Sequence, residues 1–325
     1  MKKATFYILA VAVLALCILG ACITADPPDE GAASQPGGND SGSGTRSEEA
    51  EISDSPVVSS GTSAEESREP YTPPDPSVYP TVTDADIGPD EIDSFFNDSV
   101  FVGNSIMLHY KNNYTTQKRG SDSGFLGTAK FHASGSFSYY NNIVPVSADS
   151  VHPLYQGEKM KIEDAVAAMG AKTVYLSGMA LNEIALFGTE ESVRNLATVA
   201  DAVKAKSPDV KIVVLANTYM TANFNNYQNK LNNGSISEYN NLLLDYCNEN
   251  GYDFIDVATP LMENDVLADK FCSDNDISNS NCLGCHLLPD AYAIWTAVLR
   301  DYARAVQAGA YVNPDSMPVY GGTAS

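Results

Sequence analysis

The sequence is poor in positive charge. Lysine and arginine together number 19 among 325 residues, against 41 aspartates and glutamates, and the formal net charge is −22. A protein that binds nucleic acid needs a basic face, so this balance argues against a nucleic-acid partner. The sequence also lacks a glycine-rich dinucleotide-binding pattern, a phosphate-binding P-loop and a visible internal repeat. We therefore expect a protein that works without a nucleotide or other cofactor.

A long apolar run lies at the N-terminus. Lys2 and Lys3 precede an almost wholly apolar stretch, residues 4–19, which is the layout of a secretory signal. Residues 19–22, Leu-Gly-Ala-Cys, resemble the lipobox of bacterial lipoproteins. That resemblance implies a signal peptide over residues 1–21, lipidation of Cys22 and anchoring to the cell membrane outside the cytoplasm. An ordinary signal peptide or an uncleaved anchor helix is the alternative, although a span usually needs about 20 apolar residues.

The next stretch, residues 22–90, lacks any helical or alternating apolar period. It is rich in Ser, Gly, Pro and acidic residues, and such a chain cannot bury enough apolar surface to offset its ordering entropy. We expect a disordered, acidic linker that serves as a tether between membrane and domain. The folded domain is then predicted over residues 91–310, and a C-terminal tail over residues 311–325.

Strands and helices alternate along the predicted domain. Stretches rich in β-branched and other apolar residues predict buried strands, and apolar residues three and four positions apart predict helices. The strands are predicted over residues 99–102, 131–137, 173–176, 211–216 and 254–257, and the helices over residues 162–169, 189–207, 236–248 and 290–306. This alternation indicates an α/β fold with helices on both faces of a parallel sheet. Residues 112–130 are polar and contain glycine, which predicts a loop.

Polar motifs occur at one predicted edge of this sheet, where strands end or helices begin. They are residues 103–105, 134–136, 178–183 and 284–287. Acyl transfer needs a nucleophile, a base within hydrogen-bond reach and donors for the developing oxyanion. Ser105 fits the nucleophile and His286 fits the base, while the backbone N–H groups of Ser105 and Gly135 and the Asn182 side chain fit the donors. A serine after a strand also suits a helix N-cap, so Ser105 alone leaves both interpretations open.

The order Ser, Gly, Asn, His resembles that of the SGNH (GDSL-like) hydrolases. Residues 101–105, Phe-Val-Gly-Asn-Ser, look like their first block, residues 174–183 like their strand ending in Gly-x-Asn-Asp, and residues 286–295 like their last block. The resemblance extends over residues 98–302. It implies a three-layer α/β/α sandwich with a mainly parallel, flavodoxin-like sheet, and ester hydrolysis, often of acetyl groups on carbohydrates. The predicted function is an envelope-anchored serine esterase.

Three positions depart from the pattern of that family. Asn104 replaces the usual Asp beside the serine, and two extra residues separate the preceding glycine from Asn182. Leu283 stands where the family has an Asp three residues before the histidine, an acid that holds the imidazole in its useful tautomer. Asp274 or Asp276 could fold back to replace it, as could a backbone carbonyl. A catalytically impaired, glycan-binding lipoprotein with the same fold is the alternative function.

Cysteines and the remaining histidines lead to weaker expectations. The predicted exported domain has four cysteines: Cys247, Cys272, Cys282 and Cys285. An even number in an oxidising compartment predicts disulfides, with three possible pairings. Residues 282–286 also match a haem c attachment pattern, but a haem-ligating His286 could not act as a base, and zinc lacks a second ligand pair. We expect no metal, and predict surface or packing roles for His109, His132 and His152.

Overall fold

The central sheet has five strands in the computed structural model, which describes residues 71–225 and 230–321. The predicted signal peptide, Cys22 and most of the predicted linker lie outside the described residues. The strands are β1 (Ser99–Gly103), β2 (Lys130–Ala133), β3 (Thr173–Ser177), β4 (Lys211–Leu215) and β5 (Asp253–Ile255). All are parallel, in the order β2-β1-β3-β4-β5, which is the flavodoxin-like order. The predicted α/β fold is confirmed.

Helices flank this sheet. They are α1 (Ser105–His109), α2 (Thr116–Ser121), α3 (Tyr139–Ile143), α4 (Ile162–Ala168), α5 (Ile184–Phe187), α6 (Thr189–Lys206), α7 (Asn233–Asn250) and α8 (Pro289–Gln307), with a π-helix at Tyr110–Thr115. Short 3₁₀ helices lie at Pro76–Thr81, Asp84–Asp86, Glu91–Phe96, Ala180–Asn182, Ala222–Phe224, Thr259–Leu261 and Asp269–Phe271. Two further pairs of two-residue strands lie outside the central sheet. In one pair Leu154–Tyr155 lies beside Glu158–Lys159, and in the other Met262–Glu263 lies beside Val266–Leu267. The four helices predicted from the sequence begin and end within three residues of α4, α6, α7 and α8. In the part of the chain that the structure describes, none has both the length and the apolar content that a membrane span requires.

The strand that leads to the candidate site, β1, is covered on both faces. All five of its residues are buried. Phe101 stacks on Tyr175 of β3, with 4.4 Å between ring centroids, and on Phe131 of β2, at 5.4 Å. Ring pairs of this kind add to the burial of a large apolar surface. The strand order reverses between β1 and β3, and ligands bind in open α/β sheets at the carboxyl ends of the strands beside such a reversal.

The segment predicted as a loop, residues 112–130, is helical in its first half. The π-helix at Tyr110–Thr115 continues from α1, and α2 follows it. Tyr110 and Tyr114 are buried and pack on Tyr292 of α8. Two aromatic side chains four residues apart therefore attach a helix whose other residues are mostly polar, and composition alone did not reveal its period.

The folded domain is longer than the predicted residues 91–310. Ahead of that range, Tyr79 Oη donates to Asp301 Oδ2 of α8 at 2.8 Å. Beyond it, Met317 is buried in the core. The predicted linker and tail boundaries are thus corrected, because Tyr79 and Met317 belong to the packed domain. Isolated hydrogen bonds, ion pairs such as Lys118–Asp84 and single buried side chains hold these segments, and such contacts leave no periodic pattern in the sequence.

Candidate active site

Ser105 is the first residue of α1, directly after a tight turn at the end of β1. A Cβ on Gly103 would lie 2.5 Å from both Met107 Cβ and Ser177 Oγ, so the turn requires glycine. Asn104 is the N-cap of α1, and its Oδ1 accepts a backbone N–H of the first turn at 3.0 Å. Asparagine caps helices about as well as aspartate. The departure at Asn104 therefore leaves the placement of the serine intact.

The side chains of Ser105 and His286 meet at this edge of the sheet. Ser105 Oγ lies 3.0 Å from His286 Nε2, although 181 positions separate the two residues in the chain. On the other side of the ring, His286 Nδ1 lies 2.8 Å from Asp274 Oδ2. An ionised carboxylate only accepts hydrogen bonds, so Nδ1 donates to it, and a neutral imidazole then presents Nε2 as acceptor for the serine hydroxyl. The three side chains are thus joined in one hydrogen-bonded chain, an arrangement that can serve as nucleophile, base and orienting acid.

The backbone of its own loop holds Asp274. The carboxylate accepts the N–H groups of Leu283, Cys285 and His286, each at 2.9 Å. Burial alone would raise the pKa of this carboxyl, but the hydrogen bond and charge of His286, together with the backbone N–H groups, lower the pKa to about 2. Asp274 is therefore ionised at neutral pH, which keeps the tautomer of the imidazole fixed.

Asp274, the acid that contacts the imidazole, lies twelve positions before His286 rather than three. Leu283, at the position of the usual Asp, contributes its backbone N–H to Asp274 instead. Asp276, the other acid that the sequence suggested, is exposed, and its carboxylate accepts hydrogen bonds from the N–H and hydroxyl of Ser278 at 2.9 Å and 2.6 Å. The structure thus places Asp274 beside the imidazole, whereas no hydrogen bond of the described residues joins Asp276 to His286.

A glycine allows this loop to close against a neighbouring turn. Gly284 has φ = +65°, and a Cβ there would lie 2.5 Å from the Phe224 ring and 2.6 Å from Thr221 Oγ1. The N–H of Thr221 donates to the Gly284 carbonyl at 2.9 Å, and the N–H of Gly284 donates to the Asp274 carbonyl at 3.0 Å. The position therefore needs both a left-handed backbone and the absence of a side chain.

Gly135 lies in a turn beside the end of β1. The N–H of Ser134 donates to the Gly103 carbonyl at 3.3 Å, which brings this turn next to the one that carries Ser105. Neither the N–H of Gly135 nor that of Ser105 has a protein acceptor within the described residues. Two unpaired backbone donors thus lie on adjacent turns, and donors of this type can stabilise an oxyanion.

The side chains of Asn182 and Glu183, in the segment after β3, form hydrogen bonds with the backbone just after the Gly135 turn. Asn182 Nδ2 donates to the Phe137 carbonyl at 2.9 Å; among the hydrogen bonds of the described residues it has none to the serine. Glu183 is buried, and its Oε1 accepts the N–H of Tyr140 at 2.5 Å. Burial raises the pKa of Glu183 to about 7, although backbone and side-chain hydrogen bonds oppose the rise. The contacts observed for Asn182 position the turn.

The residues that carry this geometry also match a known protein family. A family model described as the GDSL-like lipase/acylhydrolase family matches residues 101–294. The chain belongs to this family. The matched range includes every residue of the site, Asp274 among them. No curated protein matches the chain.

Solved structures of similar fold share little sequence with this GDSL-family chain. A putative acylhydrolase from Bacteroides fragilis is 16% identical, with a TM-score of 0.46 over 69% of this chain and 93% of that chain. A GDSL-like lipase from Bacteroides thetaiotaomicron is 14% identical, with a TM-score of 0.46 over 69% and 94%. An acetyl xylan esterase is 15% identical, with a TM-score of 0.45 over 62% and 97%. None of the three indicates a substrate for this chain.

The cysteines of this family member do not form the predicted disulfides. All four in the described residues are free and buried: Cys247, Cys272, Cys282 and Cys285. Burial raises the pKa of the Cys285 thiol well above its usual range. The donor atoms of Asp274, Cys285 and His286 lie within 4.8 Å of one another, and these residue types can bind a metal. Both ring nitrogens of His286 already have hydrogen-bond partners, which leaves neither for a haem iron.

His109, predicted to be a surface or packing residue, belongs to the site. Its ring centroid lies 5.1 Å from that of His286. Burial, and then the charge of a protonated His286, lower the pKa of His109. Residues four apart share a helix face, so its position four after Ser105 was the available signal. The other two histidines, His132 and His152, are buried.

Proposed function

We propose that this protein is a serine ester hydrolase in which Ser105 is the nucleophile, His286 the base and Asp274 the orienting acid. The observation that carries the proposal is the unbroken hydrogen-bonded chain from Ser105 Oγ through the imidazole to the carboxylate. Membership of an acylhydrolase family supports the class of reaction. Because Asp274 is ionised, it favours the imidazolium that forms when the base takes the serine proton.

Acylation begins with attack by Ser105 Oγ on the carbonyl carbon of the ester, while the hydroxyl proton passes to His286 Nε2. The π pair of the carbonyl moves to its oxygen, which becomes the oxyanion. The N–H groups of Ser105 and Gly135 are the proposed donors to this oxyanion. The intermediate then collapses: the bond to the alcohol oxygen breaks, that oxygen takes the proton from Nε2, and an acyl ester of Ser105 remains.

Deacylation uses water in place of the serine. His286 Nε2 accepts a proton from water as the water oxygen attacks the acyl carbon. The second intermediate collapses by breaking the bond to Ser105 Oγ, which regains its proton from the imidazolium. The products are an alcohol and a carboxylic acid, and the enzyme returns to its initial state. Asp274 stays ionised through both steps.

Asn182 enters the proposal as a positioning residue. Its amide holds the Phe137 carbonyl, two residues after Gly135, and so helps to set the direction of the Gly135 N–H. The second hydrogen on Nδ2 has no acceptor within the described residues. A direct contact between this hydrogen and the oxyanion, as the sequence suggested, stays a prediction.

We further propose that the substrates are acyl esters, acetyl esters above all, of carbohydrates or cell-wall polymers, and that a lipid on Cys22 anchors the protein outside the cytoplasm. The apolar N-terminal run followed by Leu-Gly-Ala-Cys supports the anchor. The family resemblance supports the substrate class. Cell fractionation tests the anchor: the parent should be found with the membrane, and Cys22→Ala should lose its lipid.

Hydrolysis of p-nitrophenyl acetate, and acetate release from acetylated glycans, test the reaction. The parent should hydrolyse both, and Ser105→Ala should lower kcat by about 10³-fold or more, because no other group replaces the nucleophile. Ser121→Ala, at an exposed serine of α2, is the matched control and should keep the parental rate. Equal activity in Ser105→Ala and the parent would contradict the proposal.

A glycan-binding protein without catalysis is the alternative that Asn104 and Leu283 suggested. In the structure Asn104 caps α1 and Leu283 donates its N–H to Asp274, so neither departure disturbs the candidate site. The same assay separates the two functions. A folded parent that binds acetylated glycans and releases no acetate would be the binding protein.

A further inference from the structure

The loop that carries Asp274 and His286 also forms one wall of a separate pocket, and we propose that this pocket holds a neutral sugar residue of the substrate. The pocket has a volume of about 300 Å³, at the lower end of the range for small-molecule sites. Its walls are the turn Ala222–Phe224 and part of residues 277–282. The assignment rests on the proposed esterase function, and it locates the recognition of the group that carries the ester.

One wall of the pocket is part of the loop that carries Asp274 and His286, and a hydrogen bond joins the other wall to this loop. Thr221, directly before the first wall, donates its N–H to the Gly284 carbonyl at 2.9 Å. Cys282, in the second wall, precedes Leu283, whose N–H holds the Asp274 carboxylate. A ligand in the pocket therefore lies against the loop that positions the base.

The chemistry of the lining fits an uncharged, polyhydroxylated ligand. Among the described residues, the lining has no acidic or basic side chain, and it combines the Phe224 ring and Ile277 with the amides of Asn223 and Asn279 and the hydroxyl of Ser280. Amides and hydroxyls both donate and accept hydrogen bonds, as sugar hydroxyls do, whereas charged linings select charged ligands. A phosphate or a carboxylate would lose hydration here without gaining a charged partner. The lining thus favours a neutral sugar over an anionic ligand.

The apolar part of the pocket offers a platform. Ile277 is 72% exposed, although isoleucine is among the residues most often buried in proteins. Phe224, the other large apolar residue of the lining, is buried. The C–H face of a sugar ring can cover such apolar groups while its hydroxyls reach the amides. A long acyl chain would instead desolvate the amides without pairing them, at a cost in affinity.

The polar groups of the second wall are available and held in place. Neither Asn279 Nδ2 nor Ser280 Oγ has a hydrogen-bond partner within the described residues. The turn around them is closed by its own bonds: Asn279 Oδ1 accepts the N–H of Asn281 at 3.0 Å, and the Asn279 carbonyl accepts that of Cys282 at 2.9 Å. Preformed donors and acceptors reduce the entropy that a ligand loses on binding.

Binding of neutral oligosaccharides tests the pocket independently of catalysis. Xylotetraose, cellotetraose and chitotetraose are titrated separately into the parent protein by calorimetry. At least one should bind, and Asn279→Ala and Ala222→Trp, which fills the pocket, should each raise its Kd about tenfold or more. Asn250→Ala, at an exposed amide in the last turn of α7, is the matched control and should leave Kd unchanged. Asn279→Ala decides the matter if the larger substitution prevents folding.

Kinetics then connect the pocket to the reaction. In both pocket variants, the ratio of kcat/KM for an acetylated tetrasaccharide to that for p-nitrophenyl acetate should fall about tenfold. No binding of any of the three sugars to the parent, or an unchanged Kd in both variants, would overturn the sugar site. So would a selective loss of activity on long-chain esters, which would assign the pocket to an acyl chain. Absence of p-nitrophenyl acetate hydrolysis in the parent would contradict the esterase function and leave the binding result to stand.

Discussion

Asp274 Oδ2 and His286 Nδ1 lie 2.8 Å apart although twelve positions separate them in the chain. The loop between them folds back, so that three of its later N–H groups surround the carboxylate. One segment therefore contains the proposed base, the proposed orienting acid and the N–H groups that help to keep this acid ionised. A spacing of twelve positions between the acid and the histidine therefore still allows a direct hydrogen bond between them.

This relationship predicts a large loss of activity in Asp274→Asn. The amide can donate to Nδ1, which favours the wrong imidazole tautomer, and it cannot stabilise the imidazolium. We expect kcat for p-nitrophenyl acetate to fall by about 10³–10⁴-fold. Asp276→Asn is the matched control, because that carboxylate bonds only to Ser278 and Asn279 N–H or hydroxyl groups and leaves the imidazole untouched. A similar loss in both variants would point to disruption of the loop instead.

Gly284→Ala should destabilise the protein more than Gly309→Ala. The two glycines have φ of +65° and +66°, so both substitutions carry a similar backbone cost, about 1 kcal/mol. A Cβ at position 309 meets nothing within 4 Å, whereas one at position 284 meets Phe224 and Thr221. The clash should add about 1–3 kcal/mol and lower esterase activity. Urea unfolding checks this, and equal losses in free energy of unfolding would contradict the argument.

The sequence was sufficient to predict the parts of the site that depend on strand ends. Ser105 follows a short, uncharged strand, and His286 opens the last helical block, so their shared edge could be inferred from the alternation of strands and helices. The choice between Asp274 and Asp276 could not be made. It depends on how one irregular loop closes, through backbone N–H groups that every sequence supplies.

Other features escaped prediction for equally physical reasons. Asn182 points to the Phe137 carbonyl because a 3₁₀ turn, Ala180–Asn182, occupies the extra residues after β3. His109 lies beside His286, and the only signal in the sequence was its position four residues after Ser105, which has meaning only once the segment is known to be helical. The even number of cysteines predicted disulfides. A count gives no information on the distances between the sulfur atoms, and the four described thiols are free.

Glu183→Gln should reduce the pH dependence of stability. Burial raises the pKa of Glu183 from 4.5 to about 7, so the folded protein binds the proton of this carboxyl group more tightly than the unfolded chain does. Its contribution to the free energy of unfolding is complete below about pH 4.5 and is lost as pH rises through about 7, a change of about 3 kcal/mol. Gln keeps an acceptor for the Tyr140 N–H and does not titrate. Urea unfolding at pH 4.5, 6 and 7.5 checks this; parallel profiles for variant and parent would contradict it.

His109→Lys should lower activity. The lysine would add a permanent positive charge near the imidazolium that forms at His286 during the reaction, and the Asp274 carboxylate offsets only part of it. We expect kcat/KM at pH 7 to fall about tenfold. The acid limb of the pH–rate profile should move to lower pH, because a neighbouring positive charge disfavours protonation of the base. His109→Gln, which is neutral, should show no such displacement; the same displacement in both variants would show that charge is not the cause.

The most direct test of the central claim is the position at which a fluorophosphonate probe attaches. The reagent reacts with a serine that a neighbouring base has activated. Peptide mapping of the labelled protein by mass spectrometry should find one adduct, on Ser105, and Asp274→Asn should slow its formation. An adduct on a different serine, or ester hydrolysis by a protein that never labels at Ser105, would contradict the account.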